Sequence, residues 1–435
     1  MSPAIAGIIG IILFLIVVFF GVPISYAMLF TGFWGLCFLR SPAAAFDIVA
    51  KDLLATFSSY SLTVIPMFVF MGYIGFYSGI GNSLFNLSHK FVGHFRGGLA
   101  LASEVACALF GAVSGSSTAG VATIGTIAIP EMRKYNYDSS LATASIAAGA
   151  SLGSLIPPSV LFIVYGIATE QSIGKLFLAG ILPGILLMVL YMLTIAVLTH
   201  RNPSLAPAGK KATWSERIGA FRGGLIEVFI VFALSLGGLF LGWFTPTEAG
   251  AVGAISLMVI TLIGKKMNWP KIIAALLDST KLTAMIFLLI AGATVFGRFF
   301  ALTRIPFDLG TWITGLNFPP FAVILVIIFI YLVLGCFIDA LALILLTIPI
   351  FYPLAVTTLG YDPIWFGVII LLVVNMGVIT PPIGLNVFVI KGVAPDVPLE
   401  TIFKGVWPFV LAILVCIFIL LVFPQIATFL PNMLM

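Results

Sequence analysis

The sequence predicts an all-α polytopic membrane protein made of two inverted repeats. Three observations carry this reading. Of 435 residues, 61% are apolar and only 8% are charged, where a soluble domain carries about 25% charge. The apolar residues fall in long uncharged runs, which suit spanning helices rather than the alternating strands of a β-barrel. Motifs of the first half also return in the second at a nearly constant offset. Such a chain is neither water-soluble nor disordered. Its formal charge of +5 belongs to membrane loops and points to no nucleic acid.

A helix needs about 20 apolar residues to cross a bilayer. Ten runs qualify: 4–20, 22–39, 58–80, 139–168, 176–199, 223–243, 246–264, 282–302, 364–390 and 406–430. The N-terminus has neither a basic stretch nor a small-residue cleavage site, so its first run reads as a retained span. The 4–39 stretch stays open between two spans and one broken span. The runs 98–130 and 318–356 are each interrupted midway, by Gly111-Ala-Val-Ser-Gly-Ser-Ser-Thr118 and by Gly335-Cys-Phe-Ile-Asp339. Both are read as re-entrant hairpins, since irregular backbone survives at membrane depth only when protein or water satisfies it. The more polar segments 42–57 and 267–281 fit amphipathic helices lying in the interface. The longest polar stretch, 200–222, reads as a cytoplasmic linker.

The repeat is visible residue by residue. Gly111 and Gly335, Tyr137-Asp138 and Tyr361-Asp362, Gly153 and Gly377, and Pro157-Pro158 and Pro381-Pro382 are each separated by 224 positions. Pro23 and Pro246, and Leu53-Leu54 and Leu276-Leu277, are separated by 223. The halves are therefore 1–199 and 223–435. Each has five crossings and one hairpin, and an odd number inverts the second half. Charge gives the sides. Lys90, Arg96, Arg133, Lys134, the linker residues His200, Arg201, Lys210, Lys211, Arg217 and Arg222, and Lys265, Lys266 and Lys271 all fall on one face. The positive-inside rule makes it cytoplasmic. Hairpin one then opens from the cytoplasm and hairpin two from outside.

Inverted repeats with discontinuous helices are the architecture of secondary transporters. Each half breaks one span at a Pro-Pro pair, in Gly153-Ser-Leu-Ile-Pro-Pro-Ser159 and Gly377-Val-Ile-Thr-Pro-Pro-Ile-Gly-Leu-Asn386. Proline lacks the amide donor and frees preceding carbonyls. Carbonyls and nearby hydroxyls are hard ligands that suit Na⁺, and half-helix N-termini suit an anion. Ser114, Ser116, Ser117 and Thr118 crowd four hydroxyls into the first tip; packing hydroxyls between helices is the other account. Asp339 is the only aspartate within a predicted apolar stretch, read as a functional carboxylate or as a cap on a hairpin limb. Glu104, Glu227 and Glu248 read as snorkelling or capping residues near helix ends. Arg298 and Arg304 read as interfacial anchors, with a role toward a substrate anion as the alternative. Cys37, Cys107, Cys336 and Cys416 lie in apolar runs and His89, His94 and His200 in polar loops; neither set has metal or disulfide spacing.

At these residues the chain resembles a known family, the large membrane subunit of tripartite ATP-independent periplasmic (TRAP) transporters. The resemblance covers essentially the whole chain. Its most specific parts are Gly111 to Ala119, Ile129-Pro-Glu-Met132 with Tyr137-Asp138, Ile156-Pro-Pro-Ser159, Asp339-Ala-Leu and Thr380-Pro-Pro-Ile-Gly-Leu-Asn386. It implies a multi-pass protein of the bacterial inner membrane, with a scaffold domain, a moving elevator domain and arm helices at 42–57 and 267–281. It implies Na⁺-driven import of an organic anion, a carboxylate or sulfonate, through two Na⁺ sites and without an organic cofactor. One site would use Ser114, Ser117 and the carbonyls around Gly153 and Pro157. The other would use Gly335, Asp339, Gly377, Thr380 and Pro381. Ser116, Thr118, Ser159 and Asn386 would face substrate. The implied partners are a small four-helix membrane subunit, a periplasmic substrate-binding protein and membrane lipid. The resemblance also implies the ion-transporter superfamily, and a stand-alone Na⁺-coupled dicarboxylate symporter or ion antiporter of that superfamily is the second reading. Intramembrane hydrolysis would need a paired base or two aspartates at depth. Asp339 has no aspartate partner in a span, so the chain is not expected to be an enzyme.

Overall fold

Helix starts are written into the sequence as a capping side chain followed closely by proline. Ser2, Ser41, Thr245, Asn268 and Asp362 each accept a backbone N–H of the first turn, and proline occupies the first helical positions. The computed structural model describes residues 2–209, 211–221, 225–315 and 318–435. Lys210, Arg222 and the expected repeat boundary at 222–223 lie outside the described residues. In the first half the helices are α1 (Pro3–Phe19), α2 (Ile24–Leu39), α3 (Pro42–Phe57), α4 (Val64–Ser78), α5 (Ile80–Val92), α6 (Gly98–Ser114), α7 (Ser117–Lys134), α8 (Ser139–Gly149), α9 (Val160–Thr169) and α10 (Ile173–Arg201). After α11 (Trp214–Phe221) the second half holds α12 (Leu225–Phe232), α13 (Gly238–Phe240), α14 (Pro246–Ile263), α15 (Trp269–Thr303), α16 (Ile305–Gly315), α17 (Pro320–Gly335), α18 (Ala340–Tyr352), α19 (Pro363–Gly377), α20 (Leu385–Val393), α21 (Leu399–Val422) and α22 (Gln425–Leu434). The fold is all-helical: among the described residues the only β pairing is an isolated bridge between Arg96 and Ala208.

Both hairpins are present, as α6–α7 and α17–α18, and both broken spans, as α8–α9 and α19–α20. The 4–39 stretch forms two separate helices that pack on each other. One boundary differs. The segment 267–281 is not a separate interfacial helix, because α15 runs unbroken through it for 35 residues. No glycine or proline stands between Pro270 and Gly292 to stop it. In the first half, a 3₁₀ turn at Tyr60–Thr63 separates α3 from α4. At about 52 Å, α15 exceeds the roughly 45 Å of a bilayer with its headgroups. Three helices fall where loops were expected, namely α5, α11 and α16. The polar residues of α5 masked an apolar face of Ile80, Leu84, Phe85 and Leu87, all buried.

The packing repeats with the halves exchanged. Helix α2 packs on α15 as α14 packs on α4. Helix α8 packs on α21 as α19 packs on α10, and α7 on α20 as α18 on α9. Each half completes the other, as a pseudo-twofold requires. Helices α8 and α19 lie at the centre. Every residue of α8 from Leu141 to Gly149 and of α19 from Ile364 to Gly377 is buried, the signature of a helix enclosed on all sides. Helix α1 instead exposes Ile5, Ile8, Ile12 and Phe19, as suits lipid. Polar contacts join segments that the sequence reading expects on a common side, the cytoplasmic one first. Arg133 donates to both oxygens of Asp396 at 2.8 Å, Lys90 pairs with Glu216 at 3.2 Å, and the Asp138 amide donates to the Leu205 carbonyl. On the other face Arg298 meets Asp52, and Gln171 donates to Tyr352.

Candidate functional site

Each hairpin tip rests on the broken helix of its own half, and in each the contact is glycine on glycine. A Cβ added to Gly111 would fall under 3.0 Å from the Gly153 Cα and 3.1 Å from its N. A Cβ on Gly377 would stand 2.5 Å from the Gly335 carbonyl carbon and 2.8 Å from its Cα. Only glycine admits backbones this close. Backbone hydrogen bonds reinforce both dockings. Val160 N–H donates to the Gly115 carbonyl at 3.5 Å, and Ile383 N–H to the Cys336 carbonyl at 3.3 Å.

The first tip turns at Gly115, whose φ of +61 closes α6. Ser116 then caps α7, its Oγ accepting the Ala119 N–H at 3.4 Å and lying 3.1 Å from Thr118 Oγ1. Ser114 is buried, and its Oγ has no hydrogen-bond partner among the described residues. Helix α8 gives way to a 3₁₀ turn at Ala150–Ser154, followed by a cis Pro157-Pro158 bond. Ser159 caps α9, accepting the Phe162 N–H at 3.3 Å and donating to the Ser154 carbonyl. In the second half Thr380 donates to the Met376 carbonyl at 2.6 Å, and Pro381-Pro382 is likewise cis. Gly384, at φ +56, leads into α20.

The structure brings Ser114, Ser116 and Gly153 to one tip, beside the Pro157-Pro158 break. It brings Gly335, Gly377, Thr380 and Pro381 to the other. Ser117 opens α7 half-buried. Thr118 is turned to Ser116. Asn386 is buried, and its Nδ2 donates to the Ala147 carbonyl of the opposite half at 2.9 Å, leaving Oδ1 without a partner. Asp339 is exposed and caps α18, its Oδ1 accepting the Leu341 N–H at 3.0 Å. It occupies in tip two the capping place that Ser116 holds in tip one. No group of three His, Cys, Asp or Glu that could hold a metal occurs among the described residues. A cation at either tip would be held by hydroxyls and carbonyls, a donor set for a hard ion such as Na⁺. The unpartnered Ser114 Oγ fits that use.

Several polar residues were missed from sequence. Asn375 is buried in α19, and the Ser154 Oγ donates to its Oδ1 at 2.5 Å, tying the two broken helices together. Ser151 lies 3.1 Å from the Tyr191 hydroxyl. An amide inside an apolar run was the available signal for Asn375. Glu104 corrects an expectation. It neither snorkels nor caps, but is fully buried on α6 with neither oxygen partnered. Helices α5, α7 and α8 pack around α6 and close off its side. Glu248 does cap, completing a capping box with Thr245, and Glu227 pairs with Lys266 at 2.7 Å. Arg298 holds Asp52 with its Nε at 3.0 Å and Nη2 at 2.8 Å. The pair lines a 480 Å³ cavity between α3, α9, α15 and α18.

Residues 11–426 match the family described as the tripartite ATP-independent periplasmic transporter, DctM component. The chain is 37% identical over 395 residues to the C4-dicarboxylate TRAP transporter large permease protein DctM of Pseudomonas aeruginosa, covering 91% of each. It is 32% identical over 418 residues to the sialic acid TRAP transporter large permease protein SiaM of Vibrio cholerae, covering 95% of this chain and 96% of that one. In fold it is similar to the YdaH transporter of Alcanivorax borkumensis, with a TM-score of 0.58 at 16% identity over 87% of this chain and 88% of that one.

Proposed function

Because this chain belongs to the DctM component family of tripartite ATP-independent periplasmic transporters, we propose that it imports an organic anion by Na⁺ symport, moving its hairpin body as an elevator. The protein is a large permease subunit of the multi-pass bacterial inner-membrane type, not an enzyme. It serves a secondary transporter for organic acids. The observation that carries the finer reading is the docking of hairpin on broken helix, built twice with glycine against glycine. Each docking gathers freed carbonyls and hydroxyls at one place. One Na⁺ is assigned to Ser114, Ser117 and the carbonyls around Gly153 and Pro157. A second is assigned to Gly335, Gly377, Thr380 and Pro381, with Asp339 adding negative charge beside the tip. Na⁺ bound there supplies positive charge next to the anion and joins tip to break. Ser116, Thr118, Ser159 and Asn386 are assigned to the substrate.

The substrate is assigned as a carboxylate or sulfonate. Two relatives are named for the carboxylates C4-dicarboxylate and sialic acid. The partners are assigned as a small four-helix membrane subunit and a periplasmic binding protein that delivers the anion. Reconstitution tests this. Proteoliposomes holding the chain and its small partner should take up the anion carried by the binding protein only under an inward Na⁺ gradient. Equal uptake in K⁺ would remove the Na⁺ coupling. Full uptake without the binding protein would favour a stand-alone symporter.

A further inference from the structure

Among the described residues Glu104 is the one fully buried acid, and the tip sites do not use it. It lies on α6 with no exposed surface, and neither Oε1 nor Oε2 has a hydrogen-bond partner. Its carboxyl rests against bare backbone: a Cβ on Gly149 of α8 would stand 2.5 Å from Oε2 and 3.0 Å from Cδ. An ionised carboxylate in such a place would have neither a donor nor a counter-charge, which is among the costliest arrangements a protein interior can hold. No ion pair reaches it among the described residues. Lys90 of α5 is engaged with Glu216, Arg133 of α7 with Asp396, and Glu227 of α12 with Lys266. The titratable groups facing it are Cys107, one turn along α6, and Tyr191 of α10, with Cys416 of α21 beyond that tyrosine. None is a base. Tyr191 is itself spent on Ser151.

We propose that Glu104 is a proton-binding site, standing in hairpin one as a neutral carboxylic acid. A proton needs no ligand other than the carboxyl. A metal cation would need several further oxygens turned to it, and among the described residues no hydroxyl or N–H is hydrogen-bonded to either Oε. The site is separate from the tips. Glu104 lies about 15 Å along α6 from Ser114, and about 9 Å from the start of the helix at Gly98. That base is stoppered by the linker: Gly97 N–H donates to the Pro207 carbonyl at 3.3 Å, and Arg96 bridges to Ala208. The proton therefore travels with the hairpin and exchanges only when this strap or the α6–α8 packing opens. The inference stands whatever the substrate and whichever ion drives import.

Infrared spectroscopy of the purified full-length chain in lipid nanodiscs at neutral pH tests it. The wild-type spectrum should contain a carboxylic-acid C=O band that shifts in D₂O and is lost in both E104Q and E104M. The methionine variant guards against a misfolded glutamine variant, since an apolar side chain suits this dry site. Replacing choline by Na⁺ should leave the band in place. The proposal is overturned if the variants lose a carboxylate band instead. It is also overturned if Na⁺ converts the acid band to a carboxylate band, which would make Glu104 a Na⁺ ligand.

Discussion

Replacing Gly377 with alanine tests the docking that both proposed ion sites depend on. The new Cβ would meet the Gly335 carbonyl carbon at 2.5 Å, whereas ordinary contact begins at 3.4 Å. Helix α19 and the α17 tip must part by about 0.9 Å to accept it. The obstacle is backbone, so no side-chain rotation relieves it. Overpacking of this kind costs about 1–3 kcal/mol. If the strain falls on the ion-bound state, that corresponds to roughly a 5- to 150-fold weaker response to Na⁺. The assay is the Na⁺ concentration giving half-maximal uptake in proteoliposomes, read beside the melting temperature of the purified chain. Gly111→Ala should behave alike, because its Cβ meets Gly153 backbone. Gly392→Ala is the control: nothing lies within 4 Å of its Cβ, and alanine in a helix should be neutral or stabilising by about 0.5–1 kcal/mol. A wild-type Na⁺ response and melting temperature in Gly377→Ala would mean that ion binding does not depend on this close approach.

Asp339 separates charge from capping, because asparagine caps as well as aspartate while alanine loses about 0.5–2 kcal/mol; Asp339→Asn should abolish Na⁺-driven uptake at wild-type melting temperature, and retained uptake would remove the carboxylate from the site. Ser114→Ala and Ser117→Ala should each raise the Na⁺ needed for half-maximal uptake by roughly tenfold, about 1.4 kcal/mol, and unchanged curves in both would sink the first-site assignment. A double-mutant cycle on Ser154→Ala and Asn375→Ala should show a coupling of about 0.5–1.5 kcal/mol in thermal melts, whereas additivity would mean that their hydrogen bond does not tie the halves. Glu216 lies in the linker, where the Thr213 backbone amide and Lys90 hold its carboxyl below the usual range. A carboxyl lowered on folding adds stability above its unfolded value and loses it as pH falls through the folded one. The protection of the Thr213 amide, corrected for the intrinsic pH dependence of exchange, should therefore fall on acidification in wild type and be low at all pH in Glu216→Gln.

Much of this architecture is legible in the chain because an inverted repeat states its elements twice. The offset of 224 pairs Gly111 with Gly335 and Gly153 with Gly377, and the structure shows that the contact of Gly111 with Gly153 returns in the second half as Gly335 with Gly377. The capped prolines at Ser41-Pro42 and Thr245-Pro246 mark helix starts that hold. What pattern alone could not give was continuity and depth. Helices α3 and α4 are parted by a 3₁₀ turn, while their counterparts in the second half fuse into α15, a difference of a few local residues within matching hydropathy. Hydropathy places Glu104 near a helix end but does not say that α5, α7 and α8 wrap that end. Asn375 was overlooked because its neighbours are uniformly apolar, although Ser154 of the other half bonds it. Asp339 was found from sequence for its charge, and the structure adds that it caps α18.

The two like hairpins should open to opposite faces of one membrane. Single cysteines at Ser116 and Phe337, with Cys37, Cys107, Cys336 and Cys416 replaced, test it most directly. The measurement is labelling by an impermeant maleimide in right-side-out and inside-out vesicles. Ser116→Cys should be labelled from the cytoplasmic face and Phe337→Cys from the outer face. Labelling of both tips from the same face would contradict it.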